Sequence, residues 1–342
     1  MVRSNLVSIS VGYPNLFNVK LTNTQNVDTP SPFQQMLQLP VSQLQSYTPI
    51  LASDFHNIRF VYNGTGVPAW LESISNGVAT IWVNVPVSIP ANSSVTIDME
   101  VDPSLNFDGN YWGENPLLSP TYGGYDNAAS VFNFYDNFAG ATLNSHWSVI
   151  QSSATTSIND GLTIQIVSGS SGYYIIYSTT AFAPPLIAEN LFSTSTFANN
   201  LRTFNPTLSA SNTQTTPAAD IASSPVIDWS INSANSGVWN AQQGDSSAYY
   251  ASPTGNINAA SNWLLGVGYT GSTNYWYGFN GATQNNYYTY TSSSTDTPTG
   301  SLYLGLGARW TGVSAGINIA YTWVRIRAYP PNGVMPSVEV IA

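Results

Sequence analysis

The chain has 342 residues, of which 43% are hydrophobic, 13% aromatic and only 7% charged, and its formal net charge at pH 7 is −10. This balance excludes nucleic-acid binding, because the chain lacks the basic stripe that neutralises phosphates. The absence of cysteine excludes disulfides and thiolate chemistry, and no run of about 20 apolar residues predicts membrane insertion.

The low charge indicates a surface made of hydroxyl and amide groups, a composition that is common outside cells. The first residues, MVRSNLVSISV, contain no apolar segment typical of a signal peptide. We therefore predict an extracellular or cell-surface protein whose signal peptide was removed or never present. In the second case, a place on the surface of a virus particle is favoured.

Residues 1–103 contain short alternating runs separated by turn residues, as expected for β-strands. Two runs, Leu6–Val11 and Leu16–Leu21, flank a turn at 12–15, and Asn76-Gly77 predicts a tight hairpin. The further predicted elements are a strand at 29–39, a short helix at Val41–Tyr47, and strands at Ile58–Tyr62, Trp70–Ile74, Ala79–Val85 and Ser94–Val101. Together they predict a small β-sandwich domain.

Residues 104–130 carry prolines and aromatic residues without periodicity, which we interpret as a packed connector. The predicted strands beyond it are Leu162–Val167, Tyr173–Tyr177, Ile187–Phe197, Pro225–Ile231, Trp263–Tyr269, Tyr275–Phe279, Ser301–Leu306, Tyr321–Tyr329 and Ser337–Ile341. The stretches 206–224 and 232–260 are predicted as long surface loops. This succession predicts a jelly-roll sandwich over residues 131–342.

The segment Val131–Trp147 marks the start of that second domain. Its aromatic residues alternate as in a half-buried strand, and Ala139-Gly140 then supplies a turn. We therefore predict three parts in the chain: a small domain at 1–103, a connector at 104–130 and a jelly roll at 131–342.

Three passages resemble a family of secreted archaeal surface proteins. They are 29–40 (TPSPFQQMLQLP), 67–97 (VPAWLESISNGVATIWVNVPVSIPANSSVTI) and 112–140 (WGENPLLSPTYGGYDNAASVFNFYDNFAG). In that family a small β-domain precedes a concanavalin A-like, laminin-G-like jelly roll, and Tyr321–Pro331 resembles the last core strand of such jelly rolls. The resemblance implies an all-β fold of two β-sandwich domains, the second concanavalin A-like, and an extracytoplasmic place. It carries over no activity, because the family has none established.

Three carboxylates in Asp98, Glu100 and Asp102 form the sharpest catalytic candidate. On a strand they would share one face, and paired carboxylates are the groups that retaining glycoside hydrolases use. The end residues here are Asp where such enzymes have Glu, and the strand lies outside the predicted jelly roll. A charged face of an edge strand is therefore the favoured interpretation, and a calcium site is a further alternative.

Asp136 is a candidate ligand for a structural Ca²⁺. Together with Asp126 and Asp160, it brackets the first predicted strands of the jelly roll. No dense loop of the D-x-D-x-D-G type accompanies these residues. The favoured interpretation of Asp136 is therefore a turn in which its carboxylate accepts hydrogen bonds from its own backbone. No other cofactor is predicted.

Two aromatic clusters predict a carbohydrate site, because sugar rings stack on aromatic faces and amides bond their hydroxyls. The clusters flank a predicted loop at 278–286. The candidate residues are Tyr275, Trp276, Tyr277, Asn285, Asn286, Tyr287 and Tyr288. Since neighbours along a strand face opposite ways, we expect at least half of the aromatic residues to lie in the core.

Two glycosylation sequons, at Asn63 and Asn92, fall at predicted turns of the first domain and mildly favour an external location. The chain has no nucleophile elbow, phosphate-binding loop or dinucleotide motif. His56 and His146 are its only histidines and lie far apart. These observations predict that the protein is not an enzyme.

We therefore predict a non-enzymatic, structural or adhesive surface protein that binds glycans through its jelly roll. Its partners would be glycans, other surface proteins or copies of itself. One alternative is a subunit of an assembly, either a virion surface protein or a filament in which Leu6–Val11 is donated to a neighbour's sheet. A second alternative is a glycoside hydrolase that uses Asp98, Glu100 and Asp102.

Overall fold

The computed structural model describes residues 8–10, 15–196, 200–213, 215, 226–232, 238–244, 252–256, 262–280, 283–291, 298 and 300–341. The strands at 8–10, 226–232, 238–244, 252–256 and 283–291 are described by their backbone alone. The chain forms two compact units, one of residues 1–135 and 330–342 and the other of residues 136–329.

The first unit and the start of the second contain ten strands and two short helices. In order they are β1 (Ser8–Ser10), β2 (Leu16–Asn23), β3 (Phe33–Pro40), α1 (Val41–Tyr47), β4 (Ile58–Tyr62), β5 (Thr65–Val67), β6 (Ala69–Ser75), β7 (Val78–Val85), β8 (Ser93–Val101), β9 (Trp112–Glu114), α2 (Ala128–Val131) and β10 (Phe134–Asp136). The predicted helix at Val41–Tyr47 is confirmed with the same bounds.

The strands of the second unit follow. They are β11 (Trp147–Ser152), β12 (Thr155–Ile158), β13 (Leu162–Ile166), β14 (Ser171–Phe182), β15 (Leu186–Thr194), β16 (Leu201–Ser209), β17 (Val226–Asn232), β18 (Val238–Gly244), β19 (Ser252–Asn256), β20 (Trp263–Tyr269), β21 (Thr273–Asn280), β22 (Thr283–Thr291), β23 (Leu302–Thr311) and β24 (Ile317–Ala328). A 3-10 turn at Pro331–Gly333 then leads to β25 (Ser337–Ile341).

The first unit is a sandwich of two sheets. Sheet A has the order β1-β25-β2-β8-β4-β5, and sheet B has the order β3-β7-β6-β9. The sheets meet through buried aromatic residues; for example, the rings of Phe60 on β4 and Trp112 on β9 lie edge to face at 6.0 Å. Offset and edge-to-face aromatic pairs of this kind stabilise a core beyond the area that they bury.

The predicted hairpin of the first unit is confirmed, whereas the strands beside the other predicted turn do not pair with each other. Strands β6 and β7 pair antiparallel around Asn76 and Gly77, whose φ values of 51° and 74° are those of a type I′ turn. Strands β1 and β2, which lie on either side of the turn predicted at 12–15, are separated by β25, which pairs with both of them. Local turn chemistry cannot reveal a strand inserted from the far end of the chain.

The division into units also differs from the sequence-based boundaries at 103 and 131. The segment interpreted as a connector contains β9, which pairs in parallel with β6 inside the first unit. The oxygen Oδ1 of Asp108 accepts hydrogen bonds from the backbone N–H groups of Asn110, Tyr111 and Trp112 at 2.8–2.9 Å, which shapes the loop leading into β9. Residues 330–342 return to the first unit through β25.

The second unit is a jelly-roll sandwich of two large sheets. Sheet C has the order β12-β13-β24-β15-β20-β21-β22, and sheet D has the order β11-β14-β23-β16-β17-β18-β19. Strands β15 and β20 of sheet C contact β16 of sheet D. The predicted all-β fold with two sandwiches is confirmed, whereas 232–260 is not one long loop, because it contains β18 and β19.

The two sheets of the second unit are joined at their centre by Tyr321 of β24. Its buried hydroxyl lies 2.6 Å from Oδ1 of Asn205 on β16 and accepts a hydrogen bond from the N–H of Gly307 on β23 at 3.2 Å. Burial raises the pKa of this phenol, so the hydroxyl stays protonated. A buried polar group is tolerated here because it is fully bonded.

Candidate functional site

The aromatic residues predicted to bind carbohydrate lie on β21 with different exposures. Trp276 is fully buried, and Tyr277 is 2% exposed. Tyr275 is half-buried, and its ring lies 5.3 Å from the ring of Tyr329. Of the three, Tyr275 is therefore the residue with an aromatic surface that a ligand could reach in this structure.

The predicted loop at 278–286 is wrong as a loop. Strand β21 runs to Asn280 and β22 begins at Thr283, and the two strands form an antiparallel pair. The candidates Asn285, Asn286, Tyr287 and Tyr288 therefore lie on β22, where their side chains fall outside the described part of the structure. The apolar alternation that identifies strands is weak in this Asn-rich and Gln-rich segment, which explains the error.

A buried group of charged residues lies beside these aromatic residues on sheet C. We call Glu189, Tyr277, Arg325 and Arg327 the charged cluster. Glu189 on β15 is opposite Arg325 on β24, and its other neighbour across the sheet, Gly266, is opposite Tyr277. Directly opposed residues share a face, so the register alone brings these side chains together.

The charged cluster lies on the face of sheet C that points away from sheet D. Phe192 of β15 packs against Tyr321, whose hydroxyl reaches sheet D, with the two rings 5.7 Å apart. Glu189 is three positions from Phe192 on the same strand and therefore faces the opposite way. Members of the cluster are nevertheless 0–2% exposed.

The carboxylate of Glu189 accepts hydrogen bonds from three side chains. Nε of Arg325 lies 2.6 Å from Oε2 of Glu189, and Nε of Arg327 lies 3.0 Å from the same oxygen. Nη2 of Arg327 donates to Oε1 at 3.2 Å, and the hydroxyl of Tyr277 also donates to Oε1. Burial opposes the charge of Arg327, but the adjacent Glu189 carboxylate outweighs it and raises the pKa of the guanidinium.

Neighbouring residues complete the geometry of the charged cluster. The guanidinium carbon of Arg325 lies 4.8 Å from the centre of the Trp323 ring, a cation–π contact. Gly266 provides space for the Tyr277 ring, because a Cβ at this position would lie 2.1 Å from Cζ of Tyr277. The cluster thereby joins the side chains of β24, β15 and β21 across the glycine of β20.

Sequence reasoning missed the charged cluster. Its signal was present, however: Arg325 and Arg327 are two positions apart within the largely apolar stretch 323–328 (WVRIRA), and Glu189 follows the apolar residues 186–188. Charges at period two within buried strands predict a buried ion pair, since an unpaired buried charge is too costly. The sequence does not indicate which strand supplies the partner.

Asp136, the predicted calcium ligand, accepts hydrogen bonds from two N–H groups. Its Oδ1 accepts from the backbone N–H of Phe138 at 2.7 Å, which confirms the predicted turn, and its Oδ2 accepts from Nε1 of Trp147 at 2.7 Å. Within the described ranges there is no group of three or more acidic or histidine side chains that could hold a metal ion. The calcium site therefore stays a prediction.

Burial raises the pKa of Asp136, while the hydrogen bonds from Trp147 and Phe138 act in the opposite direction. The folded protein therefore binds this proton more tightly than the unfolded chain. As pH rises from the ordinary Asp value of 3.8 through the raised value, the contribution of Asp136 to the free energy of unfolding falls. We expect Asp136→Asn to make this fall shallower in urea unfolding between about pH 3 and pH 6; an unchanged profile would contradict the assignment.

The predicted catalytic acids are not arranged as three residues on one strand. Asp98 and Glu100 are half-buried on β8, which lies between β2 and β4, so β8 is not an edge strand. Nε of Arg59 lies 2.5 Å from Oε2 of Glu100. Asp102 follows the end of β8 and accepts hydrogen bonds from Ser104, which lower the pKa of its carboxyl.

Both glycosylation candidates are exposed at tight turns of the first unit. Asn63 has a φ of 48° and Asn92 a φ of 52°. If the chain is produced in a host that glycosylates Asn-x-Ser/Thr, we expect a mass increase that Asn63→Gln and Asn92→Gln each reduce by one glycan. Mass spectrometry of the intact protein measures this, and an unmodified mass in such a host would contradict the prediction.

The chain is similar in fold to several solved structures and similar in sequence to a virus protein. No family model matches the chain. Among solved structures, an immunostimulatory antigen and pseudo beta-1,3-glucanase of Mycobacterium tuberculosis has a TM-score of 0.45 and 12% identity over 58% of this chain and 98% of its own. An endo-beta-1,3-glucanase from Pyrococcus furiosus has a TM-score of 0.42 and 13% identity over 58% of this chain and 94% of its own. The carbohydrate recognition domain of Emp47p has a TM-score of 0.40 and 10% identity over 56% of this chain and 93% of its own.

These neighbours correct one prediction. We predicted a protein without enzymatic activity, and this prediction is contradicted: the solved structures similar to this chain include glycoside hydrolases. The prediction rested on the lack of local catalytic motifs, which do not reveal a similarity in fold. Within the described part of the chain, no helix has the length and hydropathy needed to cross a membrane.

A virus protein is similar to nearly the whole chain. An uncharacterised protein of Sulfolobus islandicus rod-shaped virus 1 is 31% identical over an alignment of 372 residues. The alignment covers 98% of this chain and 60% of the viral protein. The chain thus spans 60% of the length of that relative. The similarity extends over both units rather than over the jelly roll alone.

Proposed function

We propose that the protein is a structural component of the outer surface of a virus particle. The observation that carries this proposal is the similarity to a virus protein over 98% of the chain, including both β-sandwich units. A surface with few charges and many hydroxyl and amide groups supports an extracellular place. The resemblance to secreted archaeal surface proteins is in keeping with the same location.

Fractionation of virus particles tests this proposal. Virus particles released by the cells that produce the chain would be purified on a density gradient and washed with salt to remove loosely attached protein. They would then be analysed by quantitative mass spectrometry. We expect the chain to remain with the particles at many copies each, and antibodies to label their surface. Recovery of the chain only from the host-cell fraction would overturn the proposal.

We also propose that the jelly roll recognises glycans, since Tyr275 is half-buried and its ring lies 5.3 Å from the ring of Tyr329. An aromatic surface of this kind can stack on a sugar ring. Binding to a glycan array should be lost in Tyr275→Ala and kept in Tyr173→Ala, which changes a half-buried tyrosine of the other sheet. Equal binding by both variants would overturn this site.

Glycan cleavage is proposed at the face of β8 that Asp98 and Glu100 share. Two carboxylates on one face are the groups required for acid and nucleophile or base. Release of reducing ends from a glycan panel should be lost in Glu100→Gln and kept in Asp28→Asn, which alters an exposed carboxylate elsewhere in the unit. If Glu100→Gln cleaves as well as the parent chain, this site is not catalytic.

A further inference from the structure

The last strand of the chain completes a sheet that the first residues begin. Strand β25 lies inside sheet A, where it pairs in parallel with β1 over three residues and antiparallel with β2 over five. Its side chains Val338 and Val340 are 6% and 0% exposed. We call the space between β1 and β2 the β25 slot.

The β25 slot recognises a strand mainly through its backbone and two apolar side chains. The backbone pairing on both sides supplies the hydrogen bonds, and Val19 and Leu21 of β2 are fully buried in the same sandwich. Alternating buried side chains and two-sided main-chain pairing are the recognition mode of strand addition. Any strand with the sequence of Ser337–Ile341 satisfies these contacts, whichever copy of the chain supplies it.

Side chains of β3 and of the segment after β2 bond the segment that precedes β25. Nε2 of Gln35 donates to the carbonyl of Pro336 at 3.0 Å, and Nδ2 of Asn332 donates to Oδ1 of Asn26 at 3.0 Å. The ion pair between Lys20 and Glu339 is 3.8 Å long and about two-fifths exposed on each side, so it contributes little.

The same segment has the properties of an extended hinge. Residues 329–336 contain Pro330, Pro331 and Pro336, each of which fixes φ and removes a backbone donor. The 3-10 turn of this segment ends with Asn332 and Gly333 in the left-handed region, with φ values of 50° and 78°. Opening this 3-10 turn would break the hydrogen bonds from the N–H groups of Gly333 and Val334 to the carbonyls of Pro330 and Pro331, and would extend the hinge without breaking a strand.

We propose that β25 is exchanged between copies, so that Ser337–Ile341 of one chain fills the β25 slot of another. The inference rests on the proposed function for the presence of many copies in one particle. The contacts in the slot are the same within a chain and between chains, so the exchange costs no native contact there. Two copies that exchange β25 with each other form a closed dimer. If each copy instead donates its β25 to the next copy, the result is an open chain of subunits.

Engineered cysteines test the exchange directly, because the chain has none of its own. Thr22 and Ser337 are paired in the register of β2 and β25. One chain would carry Thr22→Cys and a second, size-tagged chain Ser337→Cys, and the two would be unfolded together, refolded and oxidised. We expect a disulfide between the two different chains at about ten times the yield found when Ser46→Cys, at an exposed site, replaces Thr22→Cys.

Two further variants show whether the crosslink reports insertion into the slot. Val340→Asp, added to the Ser337→Cys chain, places a charge at a buried position and should abolish the crosslink. Val334→Asp, at a hinge residue that is 46% exposed, should leave it unchanged. Circular dichroism would confirm that each chain is folded.

The outcome that would overturn the exchange is a crosslink confined to single chains. The double variant Thr22→Cys/Ser337→Cys would then run as a monomer without reductant, and the mixture would give no more than the control yield. The two proposals can fail separately. Particles that contain the chain without exchange overturn only this inference, and exchange by a chain that is absent from particles overturns only the proposed function.

Discussion

Replacing Glu189 with glutamine is expected to lower the free energy of unfolding by about 3–5 kcal/mol, the usual result of breaking a buried ion pair on one side. The substitution removes the negative charge to which Arg325 and Arg327 donate, at distances of 2.6–3.2 Å. Both guanidiniums are 0–2% exposed, so water cannot replace the carboxylate. Urea unfolding followed by tryptophan fluorescence measures the change.

The matched control for Glu189→Gln is Glu339→Gln. Glu339 forms an ion pair with Lys20 in which both side chains are about two-fifths exposed, so this change should cost less than about 1 kcal/mol. Replacing Glu189, Arg325 and Arg327 together by leucine and methionine should recover most of the loss, because no charge is then left buried. Equal effects of the two glutamine variants would show that the charged cluster does not stabilise the fold.

Gly307→Ala is expected to lower the free energy of unfolding by at least about 3 kcal/mol, because the added methyl group has no space. A Cβ at Gly307 would lie 2.2 Å from the carbonyl oxygen of Tyr174 and 2.7 Å from Cα of Ile175, both backbone atoms of β14. These atoms cannot move aside without separating β14 from β23. The N–H of Gly307 also donates to Tyr321, so the contact between sheets C and D would be disturbed too.

Gly312→Ala separates steric clash from backbone strain. Gly312 has a φ of 55°, and a Cβ there meets nothing within 4 Å. Only the left-handed backbone is penalised, at about 1 kcal/mol. Thermal and urea unfolding of the two variants would be compared, and a Gly307→Ala protein that is no less stable than Gly312→Ala would contradict the close approach of β14 and β23.

The features that sequence reasoning predicted depend on neighbouring residues. The hairpin at Asn76-Gly77 is an example, because the turn and both strands lie within a few residues of one another. The turn at Asp136 is another, since its carboxylate bonds the backbone two residues later. In both cases the local chemistry restricts the backbone to one choice.

The features that sequence reasoning missed depend on pairings between distant segments. Glu189 meets Arg325 only because β15 pairs with β24, and 136 residues separate the two. Likewise, β25 was predicted as a strand, but its place between β1 and β2 requires the whole topology of sheet A. Hydrophobic periodicity identifies strands and their buried faces, yet it contains no information about which strands are partners.

The position of β25 also sets the order in which the protein can mature during synthesis. Translation proceeds from the N-terminus, and domains generally fold as they emerge. Sheet A, however, needs residues 337–341, which are made after the entire second unit. The jelly roll therefore has the opportunity to fold first, while the first unit waits as an unfinished sheet with an open edge on β2. The insertion of β25 completes the first unit. At this step the β25 of a neighbouring nascent or completed chain competes with the chain's own strand.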